Sequence, residues 1–380
     1  MIKHFDILII GGGPAGSSAA ISLANKGMTV AMIEKKTFPR EVLCGEFLSH
    51  EVTSALKSFG LYDEFLSLKP NRVTHFRFIP ESGSAATHPL GFEGFALKRS
   101  LLDQLLIRKA KSLGTTVVQP AEVVSMRRVN NFYEILCKTS KGIETYAAYT
   151  VIGAYGRQNI IDKSLQRSFA SSRTGYSGIK YHVPKEMLNG AADNEIRIFS
   201  SNGIYCGVNY VSDAEATLCF LSDKGINQLD PKNALNELLE KNSAFRELFT
   251  HDPLPTLVKL PVYGTGNIFF GKRSVIENGV FMIGDAARVI APLAGDGIGM
   301  AIESGILAAT VLTEAKKNKR SAAETETLYK KEWNNLFLKR IRVALRLQQF
   351  ALNSRGGNIG GRLMQRFPLL TEKLIQWTRR

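Results

Sequence analysis

The run Ile7-Leu-Ile-Ile-Gly-Gly-Gly-Pro-Ala-Gly-Ser-Ser-Ala-Ala20 sets a glycine-rich turn between an apolar strand and a small-residue helix. Gly11, Gly13 and Gly16 stand in G-x-G-x-x-G spacing: the first permits a tight turn, the second lets a pyrophosphate approach the backbone, and the third lets helix pack on strand. The helix that follows offers its first N–H groups and dipole to a phosphate. Residues 5–10 are predicted to form the strand, 15–26 the helix with Gly27 ending it, and 29–33 a second strand. That strand runs into Glu34, about 20 residues past the turn, where a carboxylate can bond ribose hydroxyls. The pattern calls for a nucleotide-binding α/β unit with a dinucleotide pocket, and leaves open which dinucleotide.

A length of 380 residues suits two domains, or one large α/β domain with an insertion, and 44% hydrophobic residues supply the core. No apolar run approaches the ~18 residues of a membrane span, and the N-terminal residues lead directly into the first strand, so a cytoplasmic location is expected. Cys44, Cys137, Cys206 and Cys219 show neither zinc-like spacing nor a disulfide framework, so reduced thiols and no metal site are expected. The net charge is +15, much of it after Lys316. Three readings fit this excess: solubility, an acidic substrate or partner, or an anionic membrane surface met by a basic C-terminus. Nucleic acid is set aside because no binding motif accompanies the charge.

Along the chain, a polar loop over 35–46 precedes a helix over 49–59, then a β-rich stretch with a strand over 72–79, and an amphipathic helix over 100–113. Strands over 121–129, 132–139 and 143–148 read as a meander, and 151–154 as a return to the core. A second β-rich region carries strands over 176–182, 195–199, 205–211 and 216–221, with a helix over 232–248. An apolar strand over 279–285 and a helix over 297–312 restore the first pattern. The basic segment from Glu324 reads as helical, broken by Gly356-Gly357 and Gly360-Gly361. Its residues Lys339, Arg342 and Arg346 form one stripe and Leu338, Ile341 and Leu345 nearly the opposite one, which suits either a helix covering the substrate domain or one lying on lipid.

The segment Gly284-Asp-Ala-Ala-Arg-Val-Ile-Ala-Pro-Leu-Ala-Gly-Asp-Gly-Ile-Gly-Met-Ala301 resembles the second FAD motif of flavoproteins built like p-hydroxybenzoate hydroxylase. That superfamily includes aromatic-ring hydroxylases, flavin-dependent halogenases and geranylgeranyl reductases, and Arg99-Ser-Leu-Leu-Asp103 fits its Arg-before-Asp pattern. The resemblance implies a discontinuous Rossmann-like FAD-binding domain (1–70, 98–165 and 273–325), with an inserted β-sheet substrate domain (71–97 and 166–272) and a basic helical C-terminal segment (326–380). It implies FAD contacts from Gly11, Gly13, Pro14, Ala15, Gly16, Glu34, Lys35, Cys44, Gly45, Arg99, Val123, Gly284, Asp285, Pro292, Gly295, Gly297, Ile298 and Gly299. In the second motif, the Asp285 carboxylate ends a strand where it can accept from a ribitol hydroxyl. Pro292, Gly295 and Gly297 leave an opening for a flat ring, and the helix from Gly297 points its positive end at the ring's pyrimidine edge.

Val42-Leu-Cys-Gly-Glu-Phe-Leu-Ser49 resembles the C-G-E segment of the geranylgeranyl reductase branch, beside the flavin. Cys44 admits two readings, a thiol touching ring or substrate and a small residue at a loop-to-helix junction. Glu46 and Ser49 suit helix capping as well as catalysis. Either Tyr205 or Cys206 is expected to face substrate, while Tyr181 and His182 read as ordinary strand residues. Cys44 and Tyr205 are the candidate catalytic residues. Tyr155 stands in Gly153-Ala-Tyr-Gly-Arg157 where the hydroxylases carry Asp, which weakens the case for NAD(P)H as direct electron donor, although Arg157 suits a phosphate. The halogenase W-x-W-x-I-P motif is absent. The resemblance implies a FAD-dependent oxidoreductase of an apolar or aromatic small molecule, read first as a monooxygenase using a flavin C4a-hydroperoxide. A reductase of carbon–carbon double bonds is the alternative, and a flavoprotein partner or maturation factor acting on another protein is a third reading.

Overall fold

The computed structural model describes residues 2–190, 192–223 and 231–377. The first strand, Lys3–Ile10, lies parallel to Val30–Ile33 on one side and to Gly142–Gly153 on the other. A strand flanked in this way is covered on both faces and must be apolar throughout its inner half. Ile7–Ile10 and Val30–Ile33 meet that demand, each residue being at most 4% exposed. The sheet runs in the order Ile276–Glu277, Val280–Met282, Gly142–Gly153, Lys3–Ile10, Val30–Ile33, Thr116–Val118. Ala121–Val129 and Phe132–Thr139 attach to Gly142–Gly153 as an antiparallel meander. The sequence suggests separate strands over 143–148 and 151–154. They are one strand, because its first half pairs with the meander while its second half continues beside Lys3–Ile10.

The helix Pro14–Ala24 packs on the helix Gly297–Lys317 through small residues. Ser18 Oγ donates to the Ile302 carbonyl at 3.1 Å, and a side chain at Gly305 would overlap the Ala15 carbonyl. Gly297–Lys317 is long and apolar enough to cross a membrane, with a mean hydropathy of 1.4 over its most apolar window, which amends the expectation that no such run exists. Here 61% of that window is buried inside the fold, so its apolarity serves the core.

The second sheet has the order Tyr263–Thr265, Ser177–Pro184, Glu215–Ser222, Ile204–Tyr210, Glu195–Ser201, Asn71–Ile79, Ala86–Ala96, Phe47–Leu48. Phe47–Leu48, which the sequence reading assigns to the cofactor unit, is therefore its edge strand. On its outer face Phe199, Cys206 and Phe220 pack with Leu235, Leu238 and Phe245 from two covering helices. The sequence reads those helices as one. They are Pro231–Lys241 and Ser243–Glu247, divided at Asn242, whose Oδ1 accepts from the Phe245 N–H at 3.0 Å while its Nδ2 donates to the Ile79 carbonyl.

Three helices, Ala322–Leu352, Ser354–Arg366 and Pro368–Trp377, complete the described chain. The first spans both units. Tyr329 Oη donates to the Met282 carbonyl at 2.7 Å in the first sheet, and the Leu352 carbonyl accepts from the Gly203 N–H at 2.7 Å beside the second. The glycine pairs expected to break this region lie inside Ser354–Arg366. A Cβ at Gly357 would come within 3.2 Å of Ser200 Oγ and one at Gly361 within 2.8 Å of Pro80, so these glycines let the helix lie flush on the second sheet. The break falls at Asn353, whose Oδ1 caps the new helix by accepting from the Gly356 N–H at 3.0 Å.

Candidate active site

The carboxyl ends of the parallel strands open onto a cavity of about 1070 Å³ that is bounded on its far side by the inner face of the second sheet. Ligands bind at this edge in open α/β sheets. Of the cofactor residues named from sequence, all but Gly16 and Gly299 line it. Gly11 has φ +106°, and a Cβ there would overlap the Ala154 carbonyl. One at Gly16 would overlap the Gly11 carbonyl, so Gly16 serves the contact of helix with strand. Gly299 faces away from the cavity: a Cβ there would sit 2.5 Å from Asp296 Oδ1 and 3.0 Å from Ser49 Oγ. Its missing side chain serves the packing of Gly297–Lys317 on the helix His50–Ser58, and Gly299 itself does not line the cavity.

Neither Pro14–Ala24 nor Gly297–Lys317 begins with a side-chain cap, so both present their first turn to the cavity without one. Glu34, 6% exposed, holds the turn by accepting from the Gly12 N–H at 2.7 Å and the Lys36 N–H at 2.9 Å. Lys35 sits at the rim, paired with Glu122 at 2.7 Å, beside Val123. Arg99 forms a two-pronged pair with Asp103, Nε to Oδ1 at 2.9 Å and Nη2 to Oδ2 at 3.0 Å. Burial alone would lower the guanidinium pKa, but the Asp103 carboxylate holds it raised. Arg40, unnoticed in the sequence, also borders the cavity, with Nε 3.7 Å from Glu34 and Nη1 3.8 Å from Asp103. Its only sequence signal is a basic residue in the loop after the second strand.

The second motif is held from behind by two buried arginines that sequence spacing does not reveal. Arg167 donates to the Ala286 carbonyl at 2.9 Å and the Ser274 carbonyl at 2.8 Å, and Arg273 donates to the Asp285 carbonyl at 2.9 Å and the Arg157 carbonyl at 2.8 Å. Tyr155 joins this network. Its hydroxyl donates to Asp162 Oδ1 at 2.7 Å and accepts from Arg167 Nη1 at 3.0 Å, and burial raises its pKa. The position that lacks an acid is thus linked to one seven residues later. Beneath the Gly295–Gly297 opening, Arg340 of Ala322–Leu352 reaches Asp296, Glu303 at 2.7 Å and Glu51 at 3.6 Å, while Ser49 Oγ donates to Asp296 Oδ1 at 3.1 Å.

Cys44 lies half-buried on the cavity wall, its Sγ accepting from the Glu46 N–H at 3.3 Å. Glu46, at φ +60°, turns its carboxylate into the seam between the units. There it accepts from Lys180 Nζ at 3.0 Å, from the Arg99 N–H at 2.9 Å and from the Thr217 hydroxyl, and lies 2.6 Å from His182 Nε2. Burial would raise its pKa, but His182, Lys180 and Thr217 together hold it at about 2. Glu46 therefore caps the helix Arg99–Ser112, not the helix that follows it, and His182, read as an ordinary strand residue, is its partner. Glu41, Glu46 and His182 bring possible metal-ligand atoms within 4.8 Å of one another, but Lys180 Nζ bridges both carboxylates and supplies the cation there. On the second sheet Tyr205 faces the cavity and Cys206 the opposite, helix-covered side. Burial pushes the Tyr205 hydroxyl well above its ordinary pKa and the Cys219 thiol, also on the cavity wall, up to about 12.

The cavity thus offers two uncapped helix N-termini, a carboxylate beside each glycine turn, and a wall of apolar and thiol side chains. These suit the phosphates, sugar hydroxyls and flat ring of FAD. Digeranylgeranylglycerophospholipid reductase 3 of Methanosphaera stadtmanae is 25% identical over 339 residues, covering 85% of this chain and 81% of that protein. Among solved structures, the flavin-dependent brominase Bmp2 superposes with a TM-score of 0.80 at 18% identity, covering 99% of this chain and 93% of that one. A geranylgeranyl bacteriochlorophyll reductase-like protein from Thermoplasma acidophilum superposes with a TM-score of 0.71 at 23% identity, covering 93% and 87%. These two likenesses establish the fold. The FAD binding domain family matches residues 4–334, and the chain, a FAD-dependent oxidoreductase, belongs to that family.

Proposed function

We propose that this oxidoreductase reduces a carbon–carbon double bond in a small molecule with an apolar body, held between the Gly295–Gly297 opening and the inner face of the second sheet. When bound, FAD supplies the two-electron chemistry. Adding hydrogen across a double bond also requires a proton, and the Cys44 thiol or the Tyr205 hydroxyl, both on the cavity wall, can hold one for transfer. The observation that carries this reading is that the half-buried thiol of Cys44 borders the reacting space. An oxygen-activating chamber exposes a half-buried thiol at its wall to oxidation, whereas Cys219, held protonated by burial, resists oxidation in either kind of chamber. The balance therefore moves from the monooxygenase reading toward the reductase. The name of the Methanosphaera relative, a reductase, supports the same choice.

The test is anaerobic mixing of chemically reduced holoenzyme with geranylgeraniol, watching the visible absorption of the flavin. Reoxidation with formation of a saturated product supports the reductase. Reoxidation that waits for oxygen, with a hydroxylated product, establishes the monooxygenase instead. NAD(P)H is proposed as an electron donor, tested by mixing it directly with the oxidised holoenzyme.

The proposal includes a cytoplasmic enzyme that meets an anionic lipid surface. Exposed Phe350, Ile359, Leu363, Phe367, Leu369 and Trp377 lie among exposed Arg355, Arg362 and Arg366 on the last helices, a composition suited to an interface.

A further inference from the structure

The strand register makes the inner face of the second sheet a grid. In its middle row Lys180 stands opposite Cys219, Cys219 opposite Gly207, Gly207 opposite Ile198 and Ile198 opposite Phe78. Side chains two apart on a strand share a face. One step toward one margin, Gly178, Leu221 and Tyr205 align; one step toward the other, His182, Thr217 and Asn209 align. The last row is a polar margin on a largely apolar wall that also includes Phe76, Leu90 and Ile196.

Two members of that row are already engaged, since His182 and Thr217 both bond Glu46. Asn209 is not. It is 2% exposed and borders the cavity, and among the described residues neither its Oδ1 nor its Nδ2 has a hydrogen-bond partner. Buried polar groups are nearly always paired, and a carboxamide left open at both ends is destabilising. A side chain of this kind at the margin of a ligand cavity suits a partner that arrives with the ligand, and a site built to bond a polar group discriminates strongly against analogues that lack it.

We propose that Asn209 is the specificity-determining anchor of this cavity, and that the substrate joins an apolar body to a head that both donates and accepts a hydrogen bond, such as a hydroxyl or an amide. The inference rests on the reading of the cavity as a substrate chamber given above. A hydrocarbon leaves both ends of the carboxamide open, and an ionised carboxylate satisfies only Nδ2, so both are poorer ligands.

The experiment is equilibrium dialysis of the FAD-loaded protein against 4-propylphenol and propylbenzene, which differ by one hydroxyl. The phenol is expected to bind about tenfold more tightly than the hydrocarbon. Asn209→Leu should abolish that preference while FAD stays bound and the Tm of the ligand-free protein does not fall, because an open amide has been replaced by an apolar side chain. A purely structural asparagine would instead lower Tm and leave the preference intact. Asn209→Ser, which keeps a hydroxyl in less volume, should retain part of the preference and serves if the leucine variant does not fold. A preference unchanged in the folded variants overturns the anchor and leaves the chamber reading standing. Failure of both probes to bind while FAD does overturns the chamber reading and the anchor with it.

Discussion

At the scale of single residues, the seam between the two units depends on Glu46. Lys180 is fully buried there, so Glu46→Gln leaves Glu41 as its remaining carboxylate partner and is expected to cost about 3 kcal/mol, read as a lower urea midpoint at pH 7. Because the folded state holds this carboxyl at about 2, below its ordinary value of 4.5, its contribution is complete above that ordinary value. It is lost as pH falls toward 2. Urea midpoints of the wild type should therefore decline across this acid range more steeply than those of Glu46→Gln. A second expectation concerns the glycine turn. Gly16→Ala forces a Cβ into the Gly11 carbonyl and should destabilise the protein by about 1–3 kcal/mol, with loss of FAD on gel filtration, although Gly16 does not line the cavity.

At the scale of elements, the helix Ala322–Leu352 does more than cover a surface. Tyr329, Trp333, Phe337 and Ile341 enter the core beside the first sheet, and Arg340 neutralises Asp296 and Glu303 under the helix Gly297–Lys317. Truncation after Lys330 removes Trp333, Phe337, Arg340 and Ile341 together, so the shortened chain should emerge from gel filtration without FAD. Arg340→Met leaves buried carboxylates uncompensated and is expected to cost about 3 kcal/mol by denaturant titration, with Arg340→Lys recovering part of the loss. The periodicity of this helix was legible in the sequence, and Lys339, Arg342 and Arg346 do lie exposed. Arg340 was not legible, because a cation on an apolar face has meaning only once its partners, 37 and 44 residues away, are packed against it.

At the scale of the whole molecule, the last two helices present apolar and cationic side chains to solvent together. Substituting Phe367 and Leu369 with Glu should reduce sedimentation with vesicles containing phosphatidylserine by about tenfold, salt should weaken the wild-type binding, and FAD should stay bound in both proteins. The sequence alone determined the cofactor, FAD, and the local form of the turns expected to hold it. Gly11, Gly13, Gly16, Glu34 and the Gly284–Gly299 segment act through local turn geometry and strand–helix order, which short-range spacing records. Only the tertiary structure decided the substrate side. Whether Tyr205 or Cys206 faces the cavity depends on which side of the sheet the helices cover, and the Glu46–Lys180–His182 seam joins residues more than 130 positions apart. Asn209 stands out only because its neighbours Thr217 and His182 are taken by Glu46 and it is not. Burial and partnership are properties of the assembled fold, so no local pattern of residues could carry them.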